Sequence, residues 1–227
     1  MSQTPIRIAH DADFAPLAFL DQGESRGLVV ELLNDVLARI GHTPEFVIVP
    51  LADHEAALRS GAADALAFKS IIPEFAEKYD QSAPLVTTGA AWFGPRDNDW
   101  AGSKPPAGGR VVTPGRGPLV GLLTRDHSDL VLSTVDSYAE ALAAVVGGAA
   151  DVAALNFNVG GYLARRDHPH TIAVPAEPFE AQPTAFCVLK GHNGDLLSAF
   201  NRALADALGE GIGERLERHW LDRSADE

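Results

Sequence analysis

Residues 27–41 read GLVVELLNDVLARIG, and this stretch sets the pattern that the rest of the chain follows. Apolar residues recur at every fourth position on one face of a predicted amphipathic helix; they are Leu28, Leu32, Val36 and Ile40. Gly41 ends this helix, since glycine readily adopts the left-handed conformation that is common after a helix. Apolar runs of strand length lie on either side, at 6–9 and 46–49. A strand, a helix and a strand in this order predict α/β architecture with mostly parallel sheets.

The same alternation continues beyond residue 49 in two series. Asp53 stands at the N-cap position of a predicted helix that carries Ala56, Ala57 and Leu58. Further strands are predicted at 65–68, 85–93, 110–113, 152–155 and 184–189, and further helices at 117–123, 137–146, 159–165, 195–208 and 213–221. Residues 97–109 are polar and rich in Gly and Pro, which is typical of a loop or a boundary. We therefore predict two lobes rather than one sheet.

Composition narrows the class of function. The chain has 227 residues, of which 46% are hydrophobic, enough for one large domain or two small ones. With 18 basic and 31 acidic residues its formal net charge is −13, which argues against nucleic acid and anionic membranes as partners. No stretch approaches the ~20 apolar residues that a membrane span needs. The sequence also lacks a phosphate loop, a nucleophile elbow and a metal signature, so we expect neither an enzyme nor a cofactor.

The cysteine and the paired histidines do not indicate a metal or redox site. Cys187 is the one cysteine and stands in the apolar run 184–189, which predicts a buried strand thiol. His168 and His170 flank Pro169 on a predicted loop. They have no cysteine or carboxylate at ligand spacing, so we expect them to be solvated rather than bound to metal.

The first five residues leave the compartment open. They are polar and run straight into the first strand, with no pattern of a signal peptide. Two explanations compete: the protein is cytosolic, or an export signal has been removed and replaced by a start methionine.

Six segments, in the same order over nearly the whole chain, resemble a known family. The first, IRIAHDADFAPLAF at 6–19, is similar to an opening strand followed by a loop with an aspartate, an aromatic residue and a proline. The others are GLVVELLNDVLARIG at 27–41, RSGAADA at 59–65, IPEFAEKYDQSAP at 72–84, DSYAEAL with GAADV at 136–142 and 148–152, and HWL at 219–221. The family is that of the extracellular solute-binding proteins of polar amino acid ABC uptake transporters.

This resemblance implies a type II periplasmic binding protein fold, with two Rossmann-like α/β lobes joined by two hinge strands. Residues 1–89 and 185–227 would form lobe one, and 90–184 lobe two. A small polar metabolite would bind in an interlobe cleft that closes by hinge motion. The resemblance also implies a periplasmic or extracytoplasmic location, a membrane permease of an ABC transporter as partner, and a monomer.

Two positions depart from the pattern of the family. Members that bind α-amino acids clamp the carboxylate with an arginine, where this chain has Phe75. They hold the ammonium with an aspartate, where this chain has Asn156. Both changes remove a charge, so the resemblance predicts an organic acid or a modified amino acid, with an apolar or aromatic part, as the ligand.

In lobe one the expected ligand residues lie at strand ends. Asp11 matches the aspartate of the first loop, and its alternative role is to cap a turn. Phe14 matches the aromatic position, and its alternative is core packing. Lys69 and Ser70 follow a strand at the edge where open α/β sheets bind ligands. A fully buried lysine is rare, so the alternative for Lys69 is a solvated loop position. Phe68, with Phe14 and Phe75, would form an apolar wall.

In lobe two the expected ligand residues are Arg116, Gly117 and Asn156. The loop 113–118, TPGRGP, occupies the place of the anion-binding loop of the family, so Arg116 is expected to replace the missing carboxylate clamp. Its alternative is a surface arginine on a flexible turn. The alternative for Asn156 is a helix N-cap.

Two other functions remain open. Cyclohexadienyl dehydratases resemble the same family, but they need a general acid, and Asp11 is the one carboxylate placed near the ligand. A sensor module of a signalling protein shares the fold as well. The chain ends soon after Trp220 with no helix leading onward, which disfavours a sensor.

Overall fold

A computed structural model describes residues 4–115 and 118–221, and the chain divides into two compact units. The first unit takes residues 1–87 and 182–227, and the second takes residues 88–181. In chain order, the strands are β1 (Thr4–His10), β2 (Asp13–Phe14), β3 (Ala18–Asp21), β4 (Glu24–Arg26), β5 (His42–Ile48), β6 (Ala65–Ser70), β7 (Tyr79–Phe93), β8 (Arg110–Pro114), β9 (Val131–Val135), β10 (Val152–Asn156) and β11 (Glu180–Leu189). The helices are α1 (Leu28–Arg39), α2 (His54–Ser60), α3 (Pro73–Ala76), α4 (Leu119–Asp126), α5 (Tyr138–Val146), α6 (Phe157–Asp167), α7 (Gly194–Gly209) and α8 (Ile212–Leu221). The chain passes from one unit to the other within β7 and within β11.

The first unit is built on a sheet in the order β5-β1-β6-β11-β7. Strand β1 runs parallel to both β5 and β6, whereas β11 is antiparallel to β6. Helix α1 packs on this sheet, and Leu28, Leu32 and Val36 on its predicted apolar face are all buried. Because β5, β1 and β6 are parallel, their carboxyl ends meet at one edge of the sheet, where ligands bind in open α/β sheets.

The second unit repeats this plan with the strand order β9-β8-β10, next to β7. Strand β8 is parallel to β9 and β10, and β7 is antiparallel to β10. Helix α5 buries Leu142 and Val145, with Tyr138 packed beside them, as the sequence predicted. On the other face, Trp92 stacks on Phe179 with ring centroids 4.3 Å apart.

Several elements differ from the sequence predictions. Strand β9 and the small β2-β3-β4 sheet were missed, because they bury little: Val131 at the start of β9 is 57% exposed. Strand β7 begins at Tyr79, well before the predicted residue 85. Its early part was missed because residues 80–82 are all polar and Pro84 follows them. Asp53 does precede α2, but its side chain makes no capping hydrogen bond.

Cys187 is fully buried on β11, as predicted, and burial raises the pKa of its thiol to about 12. Within residues 4–115 and 118–221, no helix has the length and apolarity needed to cross a membrane. The same residues contain no group of three or more His, Cys, Asp or Glu side chains placed to hold a metal ion.

Candidate functional site

The carboxyl edge of the first sheet gathers three polar side chains. Asp11 directly follows β1, Lys69 lies near the end of β6, and His54 begins α2 after β5. A short 3-10 turn, Leu51–Asp53, joins β5 to α2 and brings His54 back toward the sheet. Ala57 and Leu58 of α2 pack with Ala9 of β1 and Leu66 of β6 in one buried cluster, so the three elements lie together. The charges of Asp11 and Lys69 both act on the pKa of His54.

Asp11 is held by the backbone on both oxygen atoms. Its Oδ1 accepts a hydrogen bond from the backbone N–H of Asp13 at 3.1 Å, and its Oδ2 accepts one from Leu51 at 3.0 Å. Its own carbonyl oxygen lies 2.7 Å from Nδ1 of His10. This is the turn-capping role that the sequence left as the alternative, although each oxygen keeps a second lone pair for a ligand.

Lys69 is more buried than the sequence led us to expect. It lies within β6 rather than in a loop, and only 8% of the residue is exposed, so the expectation that it escapes burial is wrong. Neighbouring strands cover it, because β6 pairs with β11 at this point and Lys69 lies opposite Ala185. The ammonium lies 5.7 Å from the centroid of the Phe75 ring. No carboxylate among the described residues forms an ion pair with it.

Burial lowers the pKa of Lys69 to about 8, and Asp11 and Cys187 oppose this shift only in part. The cause is desolvation, which penalises the charged form of an amine. A buried ammonium without an anionic partner is costly, so the site favours an anion that would supply one.

His54 is a member of this cluster that the sequence analysis did not single out. It is 4% exposed, and its Nε2 lies 3.0 Å from the carbonyl oxygen of Val49. Its Nδ1 is buried and has no hydrogen-bond partner among the residues that the structure describes. Burial, reinforced by the charge of Lys69, lowers the pKa of His54 to about 4. In the sequence, His54 is only a polar residue early in a predicted helix, and nothing there indicates that it joins Asp11 and Lys69 in one cluster.

The aromatic residues of the first unit divide into two groups. Phe14 and Phe68 contact each other at a centroid distance of 5.6 Å, and both pack against the main core, so core packing accounts for part of their environment. Phe75 packs against Tyr79 at 6.1 Å on the side of α2. Ser70 ends β6, where its carbonyl oxygen accepts a hydrogen bond from Gln81.

In the second unit, Asn156 serves as the N-cap of α6, the alternative that the sequence left open. Its Oδ1 accepts hydrogen bonds from the backbone of Asn158 and Val159 at 3.1 and 3.2 Å. Its Nδ2 donates to Oγ1 of Thr88 at 2.6 Å. One Nδ2 hydrogen therefore stays available for a ligand. Arg116 and Gly117, the other two expected ligand residues of this half, lie outside the described residues.

Two α/β units that are joined by two crossing strands define the type II periplasmic binding protein fold. The sequence profile of the bacterial extracellular solute-binding proteins, family 3, matches residues 6–223, so the chain belongs to this family. No curated protein matches the chain in sequence.

Solved structures agree with this assignment. The ancestral cationic amino acid solute binding protein AncCDT-1 is similar with a TM-score of 0.82 and 26% identity, over 96% of this chain and 95% of that chain. A histidine kinase sensor domain with similarity to periplasmic binding proteins has a TM-score of 0.74 and 28% identity, over 97% of each chain. The second substrate binding domain of a putative amino acid ABC transporter from Streptococcus pneumoniae has a TM-score of 0.80 over 95% and 99%. At 21% identity, the last of these bears on the fold alone.

Proposed function

We propose that this chain captures an organic acid or a modified amino acid in an interlobe cleft and delivers it to the membrane permease of an ABC uptake transporter. Membership of the extracellular solute-binding family supports the general role of small-molecule capture. The six sequence segments that resemble the binding proteins of polar amino acid ABC uptake transporters support the choice of transport. The protein would act outside the cytoplasm, as a monomer and without catalysis.

The observation that carries this proposal is the buried ammonium of Lys69. It is 8% exposed at a strand end and has no ion-pair partner in the described part of the chain. A ligand carboxylate would compensate this charge, and a charge-assisted hydrogen bond contributes roughly 1.5–3 kcal/mol. Arg116 would add a second positive charge, and the backbone at Gly117 would approach the same anion.

Recognition of the ammonium of a free amino acid has less support. Asn156 has no charge, and its side chain is largely used in capping α6. Phe75 replaces the arginine of the family with an apolar ring. Together with Phe14 and Phe68, this ring favours a ligand with an apolar or aromatic part. Asp11 and Ser70 would supply hydrogen bonds at the same edge.

A thermal-shift screen tests the proposal, because a ligand that binds only the folded state raises the melting temperature. The screen compares aromatic and aliphatic carboxylic acids with arginine, histidine, glutamine and glutamate. We expect the acids to raise the melting temperature and the four amino acids to leave it nearly unchanged. Strong stabilisation by the amino acids alone would contradict the proposed ligand class.

The Arg116→Ala variant examines the second half of the site. We expect it to lose most of the acid-induced shift, while the melting temperature without ligand stays the same. Arg202→Ala is the matched control, since this arginine is exposed on α7 and is not one of the expected ligand residues. An unchanged shift in Arg116→Ala would assign Arg116 to the surface turn that the sequence left as its alternative.

A sensor module is the second candidate, and the 28% identical histidine kinase sensor domain is the observation that favours it. The two roles differ in what the ligand-bound protein contacts. Crosslinking in cell membranes would join a transport protein to a permease and a sensor to a kinase. Ligand binding alone does not separate them.

An enzyme is less well supported. One solved structure at 26% identity is described as a precursor of cyclohexadienyl dehydratase, and is itself an amino-acid-binding protein. In this chain both oxygens of Asp11 already accept backbone hydrogen bonds, whereas a general acid must give a proton to the substrate. Prephenate and arogenate should therefore be recovered unchanged after long incubation, and turnover of either would overturn this conclusion.

A further inference from the structure

The strand-end cluster of the first unit contains two unsatisfied polar groups of opposite hydrogen-bonding character. Lys69 Nζ is a donor, and no hydrogen bond or ion pair joins it to another described residue. Nδ1 of His54 is buried and equally without a partner in that part of the chain. A buried polar atom that stays unpaired costs about 1–3 kcal/mol. An unpaired acceptor of this kind, near an ammonium that has no ion-pair partner, indicates a place where a bound molecule completes the hydrogen bonding.

The hydrogen bond to Val49 determines which nitrogen of His54 carries the proton. A carbonyl oxygen can only accept, so the Nε2 of His54 must be the donor in the 3.0 Å contact. The ring is neutral near pH 7, because burial holds its pKa at about 4. A neutral imidazole that is protonated on Nε2 has a bare lone pair on Nδ1. His54 therefore offers an acceptor in the strand-end cluster that also holds the donor of Lys69.

Other charged and titratable groups around this pair do not fill these roles. Asp11 interacts with both His54 and Lys69 through its charge, but forms no hydrogen bond with either. Nδ1 and Nε2 of His10 already contact the Asp11 carbonyl and the Ser25 hydroxyl. Cys187 donates its S–H to the carbonyl of Ala185 at 3.2 Å.

We propose that Lys69 and His54 form one subsite, which takes a carboxylate with an adjacent uncharged hydrogen-bond donor. A 2-hydroxy acid and an N-acylated amino acid both have this arrangement. The Lys69 ammonium binds the carboxylate, and Nδ1 of His54 accepts the O–H or N–H hydrogen. An ammonium group in the same place would lie close to the charge of Lys69, so the pair selects against free amino acids. This inference rests on the proposed function and narrows its ligand class.

Matched ligands test the pair by isothermal titration calorimetry on the wild-type protein. The first set consists of 2-hydroxy-3-phenylpropanoate, 3-phenylpropanoate, which lacks the hydroxyl, and 2-methoxy-3-phenylpropanoate, which keeps the oxygen but cannot donate. A second set carries an isobutyl group in place of the benzyl group. We expect the hydroxy acid to bind about tenfold or more tightly than the other two members of its set, since a lost donor leaves Nδ1 unpaired.

Two variants assign the effect to its residues. In His54→Leu the preference for the hydroxy acid should disappear, while 3-phenylpropanoate binds as it does to the wild type. In Lys69→Met all three acids should lose affinity together. If His54→Leu fails to fold, the comparison of hydroxyl with methoxy ligands on the wild type decides by itself.

The outcomes separate this inference from the proposed function. If the acids bind but the three members of each set bind equally, the proposed function stands and the subsite is wrong, with a water filling the place at Nδ1. If the preference is present and survives in His54→Leu, another residue accepts the hydrogen and the inference is again wrong. If no acid binds, both the proposed function and the inference are overturned.

Discussion

The carboxylate of Asp64 accepts hydrogen bonds from both the backbone and the guanidinium of Arg7. Oδ2 accepts from the Arg7 backbone N–H at 2.9 Å and from Nε at 3.1 Å, while Oδ1 accepts from Nη2 at 2.8 Å. In the second unit, Asp151 binds Arg110 in the same way, at 2.7, 3.3 and 2.6 Å. Each aspartate follows a Gly-Ala-Ala turn, at 61–63 and 148–150.

Because each unit has the same contact at the start of a strand, positions on β6 can be matched with positions on β10. Counting five residues on from Asp64 and Asp151 leads to Lys69 and Asn156, which lie at equivalent places on β6 and β10. The first unit has a buried charge at this place, and the second has a neutral amide that caps a helix. The strand end that we propose to bind an anion in the first unit therefore has no charged counterpart at Asn156.

The two aspartates give a matched pair of stability tests. We expect Asp64→Ala and Asp151→Ala each to lower the free energy of unfolding by about 1–2 kcal/mol, mainly because a backbone N–H loses its acceptor. The exposed guanidinium pairs add little. Hydrogen exchange should quicken at the Arg7 amide in the first variant and at the Arg110 amide in the second. Unchanged exchange at both amides would show that these contacts do not hold the strands.

His54 should make the protein less stable in mild acid. Its pKa in the folded protein is about 4, below the ordinary 6.5, because of burial and then the charge of Lys69. As the pH falls from 6.5 toward 4, the unfolded ring takes up a proton that the folded ring does not, so stability is lost over this range. The full effect is about 3 kcal/mol. Urea unfolding at pH 7 and pH 4.5 should show a smaller loss for His54→Gln than for the wild type, and equal losses would contradict the assignment.

Lys69 should reduce stability in the absence of ligand. Burial lowers its pKa from 10.5 to about 8, so below pH 8 the folded protein carries the full cost of the buried charge. Between pH 8 and 10.5 the unfolded lysine holds a proton that the folded one has lost, and stability rises. Lys69→Met should therefore raise the ligand-free melting temperature at pH 7 by several degrees and remove this rise. A melting temperature below that of the wild type would mean that the ammonium has a stabilising partner.

Asn156→Asp should change ligand preference without changing stability. Aspartate caps a helix as well as asparagine does, and a negative charge is favourable at a helix N-terminus, so we expect a difference within about 0.5 kcal/mol. The new carboxylate should improve the binding of amino acids relative to organic acids in the thermal-shift screen. Asn156→Ala is the control, which loses the cap, about 1 kcal/mol, and should gain no amino acid binding. The same preference in all three proteins would exclude Asn156 from the site.

Gly89 should tolerate no side chain. It lies on β7 with φ +141°, and a Cβ there would stand 1.9 Å from the carbonyl oxygen of Glu180. Gly148 has φ +72° and open space around its Cβ position, so it isolates the cost of the backbone conformation. We expect Gly148→Ala to lose about 1–2 kcal/mol and Gly89→Ala clearly more, because β7 and the chain near Glu180 must separate. Chemical unfolding of both variants measures this difference in the free energy of unfolding. Equal losses would mean that the backbone near Glu180 moves to accommodate the new Cβ at little cost.

The parts of the fold that the sequence predicted correctly are those with a local hydrophobic pattern. The apolar positions of α1 recur every four residues, so they share one face of the helix, and this face is buried. The run around Cys187 is apolar, so this part of its strand is buried. Strand β9 was missed because it lies at the edge of its sheet and Val131 is exposed, which leaves no hydrophobic pattern to read.

The sequence by itself determined the α/β class and the family, and it predicts the loss of two ligand-binding charges at Phe75 and Asn156. Only the tertiary structure decided that Lys69 is buried and that His54 lies near it with a free acceptor. The physical reason is that desolvation depends on what surrounds a side chain. Lys69 is covered by Phe75, which lies beyond the end of β6, and by β11, the strand that carries Cys187 and is distant in sequence. No pattern within β6 records those neighbours, so the charge of the site became interpretable only once the strands were paired.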